Sequence, residues 1–324
     1  MSIRKAPKAE SQTDFFVPTL YDVGTKDSRS IMDVAVFRLS KRDRRAGEVI
    51  HYELSDGHVT VSGGAAGMAS VWDYDLVLMA VSHLTEQMNR FREGKAERPS
   101  RIFRPHVADV LRFCRRSDGG KQKDDLVETC IRLNTTHVAV QRIKKNSNGK
   151  TITVDEGEPL ISRYKIIKSD TGKPEYIEIE LADWMHREIT DGKNPEVLTV
   201  HPDYFLIDPG IGRFVYRLAR RAAGKTEAKW SFQTIYDRSG SSGTLKKFTE
   251  NLRKIINSNN LPEYSIEEEL GNSGPLLVMT YRNSSVRMED NASPQCTGNS
   301  NLHRRHKIEA TFSIPNKAKT DACM

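Results

Sequence analysis

Cysteine is scarce in this sequence, and its spacing follows no known pattern. The 324 residues include four cysteines, Cys114, Cys130, Cys296 and Cys323, and no two of them form a C-x-x-C pair. Zinc sites and disulfide frameworks both need cysteines at characteristic spacings. The sequence therefore argues against either kind of site, and the scattered thiols favour a reducing cytoplasm.

Long apolar runs are also missing. The sequence has no stretch of about 18 apolar residues, the length that crosses a bilayer, so we expect no contact with membranes. The opening segment MSIRKAPKAESQTD lacks the apolar core of a secretory signal. Only 37% of the residues are hydrophobic, and the mean hydropathy is −0.58. These values predict solvated ends, so we expect disorder in residues 1–13 and in a polar tail, residues 283–324.

Motifs for catalysis are incomplete. AAGKT (222–226) and NGKT (148–151) resemble the end of a phosphate-binding loop, but Ala219 and Lys144 replace its leading glycine. A DNA-nicking enzyme would need a metal-binding pair of histidines on a strand, whereas His137 stands alone and HRRH (303–306) lies in the tail. We therefore expect a protein that is not an enzyme and has no catalytic, cofactor or metal site.

Positive charge is concentrated in two blocks of the chain. Residues 101–150 hold 12 Lys and Arg against 5 Asp and Glu, and residues 213–257 hold 11 against 3. Such blocks are typical of a surface that binds nucleic acid. The alternative, that they are two solvated helical surfaces that happen to be basic, stays open on charge alone.

The first half of the chain alternates strand and helix patterns. The sequence predicts a strand at 33–41 and a hairpin at 49–63 that turns at Asp56 and Gly57. Apolar residues at helical spacing then predict helices at 69–91, 104–118 and 121–134. A strand at 136–143, the turn KKNSNGK and a return strand at 151–154 follow.

The second half repeats that order of elements. The patterns predict a hairpin at 163–181, helices at 208–224, 229–240 and 241–262, and closing strands at 261–267 and 275–281. In a winged helix-turn-helix, two helices are followed by a basic helix and a two-stranded wing, and both halves show this order. We therefore predict an α+β protein with two tandem winged helix-turn-helix domains. The predicted boundaries are an N-terminal arm at 1–28, domains at 29–159 and 160–282, and a disordered tail at 283–324.

The helix within 241–262 is the clearest candidate for reading DNA. Leu245, Phe248, Leu252, Ile255 and Ile256 fall on one side of a helical wheel and predict a core-facing stripe. Lys and Arg suit phosphates or guanine edges, and Asn can pair with adenine, so the other side suits the major groove. Serine hydroxyls just before a helix commonly hold a phosphate. The predicted DNA contacts here are Ser241, Ser242, Lys246, Lys247, Asn251, Arg253, Lys254 and Asn257.

The corresponding helix and wing of the first half match a DNA-binding pattern less closely. The helix at 121–134 is predicted to turn Lys123, Glu128, Thr129 and Arg132 outward. The wing after it places basic side chains around an Asn/Gly turn, which suits contacts to the DNA backbone. The predicted contacts of this half are Lys123, Arg132, Arg142, Lys144, Lys145 and Lys150. In the second wing, Glu267, Glu268 and Glu269 would repel phosphates, so we expect them to point away from DNA or to contact a protein.

Several stretches of the chain resemble the replication initiator protein A family of bacterial plasmids, which is related to iteron-binding initiators with two winged-helix domains. They include VWDYDLVLMAVSHL, IGRFVYRLARRAAG and WSFQTIYDRSGSSGTLKKFTENLRKIINSNNLPEY, and the resemblance covers residues 14–282. It implies a cytoplasmic protein that binds repeated sites in double-stranded origin DNA and helps to open the duplex. It further implies recruitment of the host replicative helicase and host initiator, and a homodimer formed through the first domain. The alternative that stays open is a winged-helix transcriptional regulator of its own promoter.

Overall fold

The computed structural model describes residues 23–145 and 148–282, and within them helices alternate with antiparallel strands. The predicted tail at 283–324 and most of the arm at 1–28 lie outside the described residues. The elements of the first half are β1 (Lys26–Ser28), β2 (Val49–Leu54), β3 (Gly57–Ser62), α1 (Tyr74–Arg92), β4 (Ile102–Phe103), α2 (Val107–Phe113), α3 (Gly120–Thr135), β5 (His137–Lys145) and β6 (Thr151–Pro159).

The second half contains the same two kinds of element. They are β7 (Ile161–Lys168), β8 (Pro174–Leu181), α4 (Asp183–Thr190), β9 (Val197–Thr199), α5 (Gly210–Ala222), β10 (Glu227–Ser231), α6 (Phe232–Ser239), α7 (Leu245–Ser258), β11 (Tyr264–Gly271) and β12 (Gly274–Tyr281). Short 3₁₀ turns occur at Arg29–Ile31 and Pro202–Leu206. None of the described helices is long and apolar enough to cross a membrane.

In the part of the chain that the structure describes, the strands form four antiparallel sheets with the orders β2-β3-β5-β6, β4-β8-β7, β10-β12-β11 and β1-β9. The predicted hairpin at 49–63 is present, but its turn is formed by Ser55 and Asp56, one residue before the predicted position, because Gly57 already pairs with Leu54. Gly57 has a φ of +149°, and a Cβ there would collide with the carbonyl of Gln141 on β5. Glycine is therefore required where this turn meets the next strand.

Two sequence predictions of secondary structure are wrong. Residues 33–41 form no strand, because residues 34–38 are buried at consecutive positions and their backbone groups bond to segments from both halves: Ala35 N donates to Arg238 O of α6 at 3.0 Å. The helix predicted at 229–240 begins only at Phe232, since Lys229, Trp230 and Ser231 pair with β12. The hydroxyl of Ser231 then caps α6 by accepting a hydrogen bond from Thr234 N at 3.0 Å.

One apolar core runs through both halves, and residues 23–282 pack as one compact unit. The β7–β8 hairpin of the second half pairs through β8 with β4 of the first, Ile102 opposite Glu180. The domain boundary proposed between residues 159 and 160 falls between β6 and β7 and stays a prediction.

A buried ion pair also connects the two halves. Arg213 on α5 binds Asp75 on α1, with Nη1 and Oδ1 2.6 Å apart, and both side chains are buried. Arg116 binds the other oxygen of Asp75 at 2.9 Å. These arginines were counted in the two basic blocks, but they neutralise a core carboxylate instead of adding to a surface for nucleic acid.

Candidate nucleic-acid interface

The helix α7 is positioned by its two ends and by one apolar stripe. The hydroxyl of Thr244 accepts a hydrogen bond from Lys247 N at 3.3 Å, and Asn259 ends the helix in the left-handed conformation. Phe248, Leu252 and Ile255 are buried, as the wheel predicts. The prediction that Leu245 faces the core is wrong: this first residue of α7 lies beyond the buried stripe and is 36% exposed.

The opposite side of α7 presents cations and amides to solvent. Lys246, Lys247, Arg253, Lys254 and Asn257 are exposed, and Asn251 is half-buried. Lys247 and Glu250 form an exposed ion pair at 3.1 Å, which contributes little in water. Lys246 and Lys254 form no ion pair with any residue that the structure describes.

The wing beside α7 neutralises one of these cations. The guanidinium of Arg253 binds Glu268 of β11 through two hydrogen bonds, Nε to Oε2 at 2.9 Å and Nη2 to Oε1 at 2.7 Å. This bond raises the pKa of Arg253 and lowers the pKa of Glu268. Glu269 in turn accepts from Lys229 Nζ at 2.6 Å. Two of the three consecutive wing glutamates therefore have partners within the chain.

The turn before α7 has an unexpected partner. Gly240 ends α6 with a φ of +57°, and Ser241 and Ser242 follow it. The hydroxyl of Ser242, predicted to hold a phosphate, donates instead to the carboxylate of Asp43 at 2.6 Å. This hydrogen bond lowers the pKa of Asp43. A carboxylate thus occupies the place where the sequence predicts a phosphate.

On α3 the predicted outward face is only partly outward. Thr129 is buried and donates to Asp73 at 2.7 Å, which contradicts its predicted exposure. Arg132 donates two hydrogen bonds to the same carboxylate, from Nε at 2.9 Å and from Nη2 at 2.8 Å. Because Asp73 is buried, its charge needs such a counter-charge. The predicted outward placement of Arg132 is therefore wrong. Lys123 pairs with Asp118 at 2.9 Å.

The β5–β6 hairpin carries the remaining predicted contacts. It extends beyond β3, because the strand pairing of β5 with β3 ends at Arg142, whereas its pairing with β6 continues to Lys145. Arg142 pairs with Asp56 at 2.7 Å at the base of this extension. Lys145 and Lys150 are exposed near its end. The side chain of Lys144 lies outside the described part of the chain.

Comparison with known proteins identifies the family. Residues 26–266 match the family described as Replication initiator protein A. The chain belongs to the replication initiator protein A family. A candidate replication protein of Wigglesworthia glossinidia brevipalpis is 28% identical over 242 residues, which cover 74% of this chain and 83% of that protein. Membership in the replication initiator protein A family supports a role in replication initiation.

Two solved structures resemble the fold of this replication initiator protein A family member. A crystal structure of domains 2 and 3 of RctB has a TM-score of 0.51 at 12% identity, covering 78% of this chain and 98% of that one. A second structure of the same domains has a TM-score of 0.50 at 11% identity, with 76% and 95% covered. At this identity the likeness concerns the fold alone.

A basic loop at residues 40–45 of this family member was not predicted as a functional surface. Its letters SKRDRR are themselves a signal, but the run was divided between a predicted strand and the segment after it. Arg45 donates to the carbonyl of Gly240 in the turn before α7, and its Nε binds Glu48 at 2.8 Å. The loop therefore lies against the DNA-reading candidate from the other half of the chain.

Between this loop and α7 lies a groove of about 800 Å³. Lys247, Asn251, Lys254 and Ser258 of α7 line it, and their spacing of four, three and four residues makes them one side of a helix. A groove of this size at a junction is typical of a binding site. Within the described residues, no group of His, Cys, Asp or Glu is placed to hold a metal ion.

Proposed function

We propose that this protein starts replication by binding repeated sites in double-stranded origin DNA, without catalysing a reaction. The observation that carries the proposal is the exposed face of α7, where Lys246, Lys254 and Asn257 point away from a well-packed apolar stripe. Such side chains can bind guanine, adenine or phosphates in the major groove.

The order of elements around α7 supports this reading. Helices α5, α6 and α7 are followed by the β11–β12 hairpin, and β10 completes a sheet of order β10-β12-β11. This order supports the proposal of a winged helix-turn-helix, in which the second helix of the motif enters the major groove. In that arrangement α7 reads bases and the β11–β12 hairpin is the wing. This half is the main sequence-specific reader.

The first half has a supporting role in the proposal. It contacts the DNA backbone through Lys145 and Lys150 at the end of the β5–β6 hairpin, since exposed lysines bind phosphates without reading sequence. Family membership supports the further steps: a homodimer formed through this half, opening of the duplex, and recruitment of the host replicative helicase and host initiator. The protein acts in the cytoplasm, on the plasmid or nucleoid.

A second candidate function uses the same helix face. A winged-helix transcriptional regulator would bind its own promoter through α7 without opening the duplex. Footprinting on the DNA beside the gene separates the two functions. Protection of tandem direct repeats next to an A·T-rich segment supports the initiator, and protection of a single palindrome supports the regulator. An unprotected fragment would contradict both.

Two variants test whether the footprint depends on α7. Lys246→Ala removes an exposed cation from α7, and Lys193→Ala removes an exposed cation outside it. The first variant should weaken protection and the second should leave it unchanged. Equal protection by both would exclude Lys246 as a DNA contact, and α7 would be excluded as the reader if variants of Lys247, Arg253 and Lys254 also protected DNA like the parent.

A further inference from the structure

The walls of the groove between residues 40–45 and α7 carry more cations than anions, although two of these cations, Arg45 and Lys247, also pair with the carboxylates of Glu48 and Glu250. Four of its lining side chains are cations, Arg38 and Arg45 from the first half and Lys247 and Lys254 from α7, and one is an anion, Asp43. The start of α5 forms a further part of the lining. Charge of this sign, contributed by two distant parts of the chain, suits an anionic occupant.

The position of the groove beside α7 points to the kind of anion. The major groove is about 12 Å wide, so a helix that enters it has a sugar-phosphate backbone on each side. On one side of α7 lies β11, where Glu268 binds Arg253. On the other side lies the groove. A duplex read by α7 would therefore pass one of its two backbones along the cationic walls.

Asp43 is the one anion in this lining. Its Oδ2 accepts from Ser242 Oγ at 2.6 Å, and its Oδ1 accepts from Arg45 N at 3.2 Å. A hydroxyl and a backbone N–H are the donors that proteins commonly offer to DNA phosphates. The carboxylate thus receives the hydrogen bonds that a phosphate oxygen would receive.

We propose that this groove receives one sugar-phosphate backbone of the duplex and that Asp43 holds the position of a phosphate in the DNA-free protein. The inference rests on the proposed function, because it needs α7 to bind duplex DNA. It adds a contact surface from the first half and a carboxylate that competes with DNA for Ser242. Removal of the negative charge should therefore strengthen binding.

The test compares Asp43→Asn with Asp191→Asn, an identical change of charge at an exposed side chain outside the groove. Each variant is titrated with origin duplex and with a duplex of unrelated sequence, and its thermal unfolding is measured. One charge facing a phosphate at about 4 Å corresponds to about a fivefold change in affinity. Asp43→Asn should tighten binding to both duplexes by about this factor, because a backbone contact carries no sequence information. Asp191→Asn should bind like the parent.

A second variant covers the case in which the asparagine amide keeps the bond to Ser242. Asp43→Ala removes the acceptor as well as the charge and should tighten binding at least as much. If neither Asp43 variant binds more tightly than Asp191→Asn while the parent binds origin duplex, the inference is overturned and the proposed function stands. A parent that binds no duplex overturns both.

A competition experiment distinguishes the source of the phosphate. A deoxynucleoside monophosphate is added to the complex of parent and duplex. Continued binding at millimolar nucleotide supports a backbone site, because a strand is held by several phosphates together. Displacement of the duplex at micromolar nucleotide would assign the groove to small phosphorylated molecules and overturn the inference.

Discussion

Arg217 and Asp27 form an ion pair in which neither side chain is accessible to solvent. Nε of Arg217 lies 2.6 Å from Oδ2 of Asp27, and the two residues join α5 to β1. Nη1 and Nη2 of the guanidinium have no hydrogen-bond partner among the described residues, but its Cζ lies 4.8 Å and 4.9 Å from the ring centres of Phe37 and Tyr74. Burial alone would lower the pKa of Arg217, and Asp27 raises it above the ordinary value.

Removal of the Asp27 carboxylate should destabilise the fold strongly. Asp27→Ala leaves Arg217 as an unpaired charge in the core, and we expect a loss of about 3–5 kcal/mol in the free energy of unfolding. The matched control is Asp191→Ala, which breaks the exposed pair with Arg98 and should cost less than about 1 kcal/mol. Urea denaturation measures both. Equal unfolding midpoints for the two variants would show that the buried pair is not needed to join α5 to β1.

Two apolar residues of α7 should differ sharply in their contribution to stability. Phe248 is 2% exposed, so Phe248→Ala leaves a cavity and should cost about 3–5 kcal/mol. Leu245 is exposed, so Leu245→Ala should change stability by no more than about 0.5 kcal/mol. Thermal denaturation of the two proteins in one buffer checks this. A large loss at Leu245 would mean that the start of α7 is covered in solution.

Single alanine substitutions should sort the cations of α7 by what they contact. Substitution of a residue that reads a base should weaken origin binding by about 1–3 kcal/mol and relax specificity at one position. A phosphate contact should weaken binding to all sequences alike and lower the salt slope by about one unit. The variants are Lys246→Ala and Lys254→Ala, titrated over a range of salt, with Lys193→Ala as the control.

Binding of the parent to duplex DNA should weaken steeply with salt. About six phosphate contacts predict a slope near −5 when the logarithm of the binding constant is plotted against the logarithm of the salt concentration. A slope near zero would exclude backbone contacts.

Glu188 on α4 should make stability depend on pH. Burial raises its pKa above the ordinary value, although Ser28 Oγ donates a hydrogen bond to Oε2 at 2.5 Å. An acid with a raised pKa binds more protons in the folded than in the unfolded state. The parent should therefore lose stability as pH rises from the ordinary glutamate pKa towards the raised one.

Glu188→Gln removes the titrating group and tests this dependence. Relative to this variant, the parent should become less stable as the pH rises above about 4.3, where the unfolded carboxyl titrates, until the pH passes the raised pKa of the folded state. Urea denaturation across that range measures the difference. Glu97→Gln, at an exposed side chain, is the control. A stability difference that stays constant with pH at Glu188 would contradict the prediction.

The sequence by itself determined the helices and hairpins that depend on residues close together in the chain. The helix α5, the buried stripe of α7 and the hairpins at 49–63 and 163–181 follow from apolar spacing and turn residues within each segment. The exposed cations of α7 were predicted for the same reason, because a stripe that faces the core defines its opposite side. The family resemblance covered most of the same segments and is confirmed.

Only the tertiary structure decided where charges and irregular segments go. Arg217 and Asp27 are separated by 190 residues, and Ser242 and Asp43 by 199. No local pattern can show which of the many carboxylates a given arginine or serine will meet. Residues 33–41 likewise look like a strand, but their neighbours in space come from both halves. A charge can be buried only where the fold supplies a partner for it. The position of the basic loop and Asp43 beside α7 likewise depends on how distant segments pack, and therefore only the tertiary structure shows it.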